Sequence, residues 1–146
     1  MEFLNQKATI VFIRLVESLG GGLHRKIENT PFMPLTIESI GENIDTPWGM
    51  ASLYSLCHYC KQNGDLMQDP EMCFFIIDNR NGATLNNDNV KIAPYSFQQA
   101  NMGIYEESVR MENAKLTEFN RNMQKDHTEF ANMWLSNIEE QGFLTA

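Results

Sequence analysis

The sequence predicts an α+β domain: a mostly antiparallel sheet of about four to five strands, flanked by an N-terminal helix and a long C-terminal helix. Three observations predict it. Apolar residues recur at helical spacing at both ends of the chain. The stretch between them breaks into short alternating or continuously apolar runs bounded by Pro, Gly and Asn. Those runs follow one another without a helix between them, the order that gives an antiparallel sheet with helices gathered on one face. With 146 residues the chain suits one core, so a single domain over 1–146 is expected, with a helix at 1–19, a linker at 20–33, a sheet region at 34–109 and a helix at 113–141.

The first helix rests on Leu4, Ala8, Val11, Phe12, Leu15, Val16 and Leu19, whose three- and four-residue steps place them along one side. Gly20-Gly21-Gly22 ends it, because glycine takes the left-handed conformation after a helix without a Cβ clash. Leu35 to Ile40 alternates and reads as a short half-buried strand closed by Gly41-Glu42-Asn43, and Asp45-Thr46-Pro47 reads as a turn. Met50 to Gln62 and Glu71 to Asp78 read as two strands pairing as a hairpin. The connection from Asn63 to Pro70 is expected to be a structured loop beginning with Gly64 at positive φ. Asn79 to Asn89, rich in asparagine, is expected to be an exposed connection. Val90 to Ala93 is a short strand ended by Pro94, with one more around Gly103-Ile104-Tyr105.

The C-terminal helix rests on Leu116, Phe119, Met123, His127, Phe130, Trp134 and Ile138, a stripe closed by Gln141-Gly142. This stripe suits packing on the sheet or a homodimer seam equally well. The nine methionines suit core filling or a plastic contact surface.

Nineteen acidic residues against eleven Lys and Arg give a formal charge of −8. Such a field repels phosphate backbones and anionic lipid, so neither nucleic acid nor membrane is expected as a partner. The longest apolar run, Ile10 to Ile13, is far too short to cross a bilayer, and Met1-Glu2 does not begin like a secretory leader. A soluble, cytoplasmic protein is expected.

Few residues carry a chemical signal. Cys57 and Cys60 form a C-x-x-C, but three residues along a strand project to opposite faces, and no second such pair exists to complete a zinc site. The three cysteines are therefore expected to pack as buried thiols in a reducing compartment, with no metal and no cofactor. Asp65, Asp69 and Glu71 bring three carboxylates together beside Asn63, without the spacing of a calcium loop. Their expected role is a solvated loop in which Asp caps turn amides. With His58 they are the candidate binding residues, and the centre of a metal-assisted enzyme in the alternative reading. His58 and His127 are expected at the core or its boundary. No G-x-S-x-G supports a hydrolase, and Gly20-Gly21-Gly22 lacks the strand before it and the Gly-Lys-Ser/Thr ending of a phosphate loop. Catalytic residues are not identified.

The stretch Gln62-Asn63-Gly64-Asp65-Leu66-Met67-x-Asp69-Pro70-Glu71-Met72 resembles the hallmark of a family of uncharacterised bacterial, plasmid and phage proteins known only as a domain of unknown function. Pro94-x-Ser96-Phe97-Gln98, Gly103-Ile104-Tyr105 and Trp134-Leu135-x-Asn137-Ile138-x-x-Gln141-Gly142-Phe143 follow in the same order, so the resemblance covers about 35–143. Gln99-Ala100-Asn101 departs from the Asn-Asp pair expected there. The resemblance implies a small cytoplasmic domain from a mobile element or its host, and implies no activity. With no coherent catalytic set, the expectation is a non-enzymatic protein-binding or accessory module. A metal-assisted enzyme and an acidic phage-type inhibitor that mimics DNA are the alternatives.

Overall fold

The structure, a computed structural model, describes residues 1–80 and 89–146. The expected Asn-rich connection falls largely in 81–88, outside the described residues. A helix α1, Gln6–Glu17, opens the fold where the periodicity places it. The Asn5 side chain caps it by accepting from the Ala8 N–H at 2.8 Å. Its buried side carries Val11, Phe12 and Leu15, and the Phe12 ring sits 4.6 Å from that of Phe74. Burial of an aromatic side chain of this size is worth about 2–3 kcal/mol, so this contact is a main tie between helix and sheet.

Among the described residues eight strands form one sheet, which corrects the expected four to five, though helices and sheet still make an α+β fold. They are β1, His24–Ile27; β2, Leu35–Thr46; β3, Gly49–Gln62; β4, Asp65–Asp78; β5, Val90–Gln99; β6, Ile104–Glu107; β7, Val109–Glu112; and β8, Lys115–Phe119. The additional strands lie where charge or turn chemistry masked them. β1 falls inside the expected linker at 20–33, because His24-Arg25-Lys26 has no apolar alternation to announce it. β2 runs on past Gly41-Glu42-Asn43 by absorbing them as irregularities in its pairing with β3, with Asn43 at φ +60. Asn63 and Gly64, at φ +54 and +87, make a two-residue turn, so Asp65–Asp78 is one long strand instead of a loop followed by a strand. β5 continues through Pro94, whose missing N–H falls at a shift in register with β4.

The largest correction concerns the C-terminal helix, expected over 113–141. The helix α2 is Arg121–Glu140, and Leu116 and Phe119 belong to β8. Asn113 and Ala114, at φ +52 and +59, turn β7 into β8, and Asn120 caps α2 by accepting from the Met123 N–H at 3.1 Å. Two strand residues had fallen by coincidence in phase with the helical stripe.

The strand order is β6-β5-β4-β3-β2-β8-β7, with β1 on β2 beside this path and β2 pairing with β8 in parallel. Its two ends are consecutive in the chain: only Ser108 separates β6 from β7. Ser108 donates its N–H to Tyr95 O at 2.9 Å and accepts at its carbonyl from the Asn120 N–H at 2.8 Å. The sheet therefore curls round and closes. Its inner side is filled by Ala51, Phe75, Ile77, Ala93, Val109 and Leu116, drawn from five strands. Both helices lie on the outer side of β3–β5, over Leu56, Met72, Phe74 and Ile92. The run Met72 to Ile77 thus alternates between two cores, which is why it is apolar at nearly every position. Trp134 and Ile138 of α2 are buried against this outer core.

Side chains of α2 fasten the closure. Gln124 accepts from the Glu2 N–H and donates to Glu2 O, both at 2.8 Å, and so holds the N-terminal strand of chain in place. His127 lies 2.8 Å through Nδ1 from Ser108 Oγ, donates through Nε2 to Glu106 at 3.1 Å, and stacks on Phe97. Replacing it leaves the buried Ser108 hydroxyl without its partner and opens a hole beside Phe97. His127→Ala is expected to lower the free energy of unfolding by about 3 kcal/mol, and Ser108→Ala by about 1 kcal/mol. Lys125→Ala, exposed on the same helix, should cost under about 0.5 kcal/mol. Urea titration of the three variants checks this, and equal midpoints for His127→Ala and Lys125→Ala contradict it.

Candidate functional site

The helices cover one face of β3–β5, and the barrel lumen is plugged by Phe75 and its neighbours. What remains is the end of the sheet where β1, β2 and the β3–β4 hairpin flare away from the barrel. Register places the side chains of one face in rows there: Lys26 beside Thr36 and Cys57, then Glu71, Gln98 and Tyr105; and His24 beside Glu38 and Ser55, then Cys73, Ser96 and Glu107. A groove of about 380 Å³ lies over the β1 side of this face. Thr36, Glu38 and Tyr59 line its middle, Pro34 and Leu66 supply apolar wall, and His24, Lys26 and Lys61 supply basic groups. Leu66 is 61% exposed, a large apolar side chain left to solvent at the hairpin tip.

Beside the groove the sheet carries a half-buried polar cluster. Ser55 donates its hydroxyl to Glu71 Oε2 at 2.6 Å. The Cys57 thiol donates to the His58 carbonyl at 3.3 Å, and the Cys73 thiol lies among the side chains of Ser96, Tyr95 and Ser55. Burial, reinforced by the Glu71 carboxylate, pushes the Cys57 thiol up to about 12. Burial and then Cys57 push Tyr59 up to about 12. Burial raises Cys73 and Tyr95 as well. At neutral pH these groups stay protonated. They are hydrogen-bond donors, not nucleophiles, since a reactive cysteine needs a lowered value to form its thiolate.

The residues singled out in the sequence do not converge. Asn63 is the first turn residue of the β3–β4 hairpin and Asp65 is exposed beside it. Asp69 accepts from Gln99 Nε2 at 2.9 Å, and Glu71 accepts from Ser55. His58 projects to the helix side of the sheet, between Trp134 and Phe143, with Nδ1 3.2 Å from Pro34 O. Burial lowers its pKa. Among the described residues no three His, Cys, Asp or Glu side chains stand together as a metal site. The three cysteines are free. Of the sequence candidates only Glu71 belongs to the polar cluster. Ser55, Tyr59, Tyr95 and Ser96, which join it there, were missed because strand pairing brings them to Glu71 from β3 and β5, on either side of β4. Alternation of small polar residues along Ser55 to Tyr59 was the one available signal.

Ser108, His127 and Glu106 have the composition of a catalytic triad. Their arrangement does not serve as one. Ser108 is 1% exposed and its hydroxyl is committed to the ring that fastens the barrel.

Residues 9–144 match a domain of unknown function, DUF6908. The chain belongs to this family. Curated proteins and solved structures give no match. The matched span of this DUF6908 chain takes in the groove, the polar cluster, α2 and α1 from Thr9 onward. No helix among the described residues is long and apolar enough to cross a membrane.

These shifts set how the stability of the DUF6908 chain varies with pH. The thiols and phenols titrate near 9 and 10 when unfolded but near 12 in the folded state for Cys57 and Tyr59. Above pH 9 the unfolded chain loses protons that the folded chain keeps, so stability is whole below pH 9 and falls as pH rises toward 12. His58, lowered from 6.5, acts in the opposite direction: stability is whole above 6.5 and falls below it as the unfolded imidazole takes up its proton. Urea midpoints across pH 5–11 should form a plateau with two falling limbs, the alkaline limb shallower in Cys57→Ala. Alkylation of Cys57 at pH 8 should run about a thousandfold slower than that of a free thiol, following the thiolate fraction.

Proposed function

We propose that this DUF6908 chain is a non-enzymatic protein-binding module whose working surface is the flared face of the sheet. The observation that carries the reading is the groove beside β1. It is bounded by an exposed leucine and basic side chains, and burial holds the neighbouring thiols and phenols protonated. A face built in this way offers fixed hydrogen-bond donors and apolar wall, the elements of recognition, and no activated nucleophile or base. The interior of the barrel is filled, and α2 spends its apolar stripe on the sheet, so neither provides an alternative surface of comparable character. The likeness of residues 62–72 to bacterial, plasmid and phage sequences supports a setting in a mobile element or its host, and three free thiols support a reducing compartment.

A photo-crosslinking residue placed at Leu66 should capture a discrete protein partner from the native cell, while one placed at Met133, exposed on α2, should not. Capture should be lost on Tyr59→Ala with Lys61→Glu. Turnover of an ester, phosphoester or peptide substrate that disappears in Glu71→Gln would instead make the polar cluster an active site and end the binding reading.

A further inference from the structure

We propose that β1 is a docking edge for an acidic, extended segment of a partner protein, which adds a strand beside His24–Ile27 and lays alternate side chains into the groove; this rests on the protein-binding reading above. The backbone gives the first reason. Ser39 donates its N–H to Leu23 O at 2.8 Å, so in the antiparallel register of β1 with β2 the pairs that exchange hydrogen bonds are Arg25 with Ile37 and Ile27 with Leu35. His24 and Lys26 therefore turn their N–H and C=O groups outward. Among the described residues no backbone hydrogen bond falls on that edge, and both residues are exposed.

Charge gives the second. His24-Arg25-Lys26 is a run of three basic residues in a chain of formal charge −8. A strand added at this edge places the residues opposite His24 and Lys26 on the groove face, where Lys61 also lies. Carboxylates at those two positions meet basic partners directly across the pair, an arrangement that favours pairing. The Pro34 and Leu66 wall then receives an apolar side chain from a flanking position. Lys26 already holds Glu28 at 3.4 Å, an exposed pair of small worth that a partner carboxylate replaces. A second copy of this chain is the poorer occupant, because antiparallel pairing of two β1 strands sets His, Arg and Lys against one another. The negative charge elsewhere on the molecule is screened over about 8 Å at physiological salt, so it does not cancel a local basic edge.

The full chain is titrated by fluorescence anisotropy with labelled ten-residue probes: alternating Glu and Val, alternating Lys and Val, the acidic probe with alternate amides N-methylated, and a single-stranded oligonucleotide. The acidic probe should bind saturably, weaken with added salt, and slow hydrogen exchange of the His24 and Lys26 amides. Lys26→Glu and N-methylation should each weaken it at least about tenfold. His24→Glu with Lys26→Glu should transfer preference to the lysine probe. The proposal is overturned by no binding at about 1 mM acidic probe, by binding indifferent to Lys26→Glu, or by oligonucleotide binding lost in Lys26→Glu, which makes the edge a nucleic-acid contact. Protein capture at Leu66 that survives Lys26→Glu overturns the edge alone and leaves the binding reading standing; loss of both removes both.

Discussion

Closure of the sheet depends on Ser108, whose N–H is bonded to β5 and whose carbonyl accepts from Asn120 just beyond β8. One residue there serves two strands that lie on opposite sides of it, and a chain passing through such a point has little freedom in backbone direction. The imidazole of His127 holds the Ser108 hydroxyl and reaches Glu106 with its other nitrogen, so the long helix is registered against the closure as well as against the outer core. Two consequences follow from one corner. The inner side of the sheet becomes a second hydrophobic core, and the outer side is left as the single broad platform for both helices.

That division decides where recognition is possible. A small closed sheet has its lumen filled by side chains, and here Phe75, Ile77 and Leu116 fill it. The strands of β1–β4 extend past this plug, so the alternation that sends Phe75 inward places Cys73 and Glu71, two and four residues earlier, on the flared continuation of the same face. There, water is only partly excluded. Ser55 donates to the Glu71 carboxyl group, and the thiols stay neutral because desolvation penalises their anions. The same partial burial that makes the cluster possible makes it a poor nucleophile.

The sequence was legible where local chemistry and tertiary packing agree. The first helix, the β3–β4 pairing and the C-terminal glycine at 142 follow from periodicity and punctuation, and the structure places them accordingly. It was illegible where a short strand had no apolar alternation, as in His24–Ile27, and where two periods coincide, as at Leu116 and Phe119, which satisfy a helical stripe but lie on a strand. Asn63-Gly64 was a hairpin signal outweighed by the length of polar sequence after it; that polar sequence is tolerated in a strand because β4 there lies on the flared, half-exposed part of the sheet. The site was mostly out of reach for a different reason. Glu71 is visible as one acid among several, but its partner Ser55 is sixteen residues away, and only the pairing of β3 with β4 makes them neighbours.

The placement of charge completes the argument about the surface. An exposed strand edge is a hazard to a protein, and lysine on the edge is one of the ways in which unwanted pairing is discouraged. A wholly acidic chain could meet that need with Glu or Asp; this one uses three basic residues in succession, on a four-residue outlying strand and next to a groove with an apolar wall. Repulsion between identical edges is obtained with either sign. Only the basic sign also leaves the edge attractive to something acidic, while the net charge of −8 opposes the approach of such a segment to the molecule as a whole. The same residues thus reject self-association and restrict where an acidic strand can land, which is how a four-residue edge acquires selectivity that its few backbone hydrogen bonds do not supply.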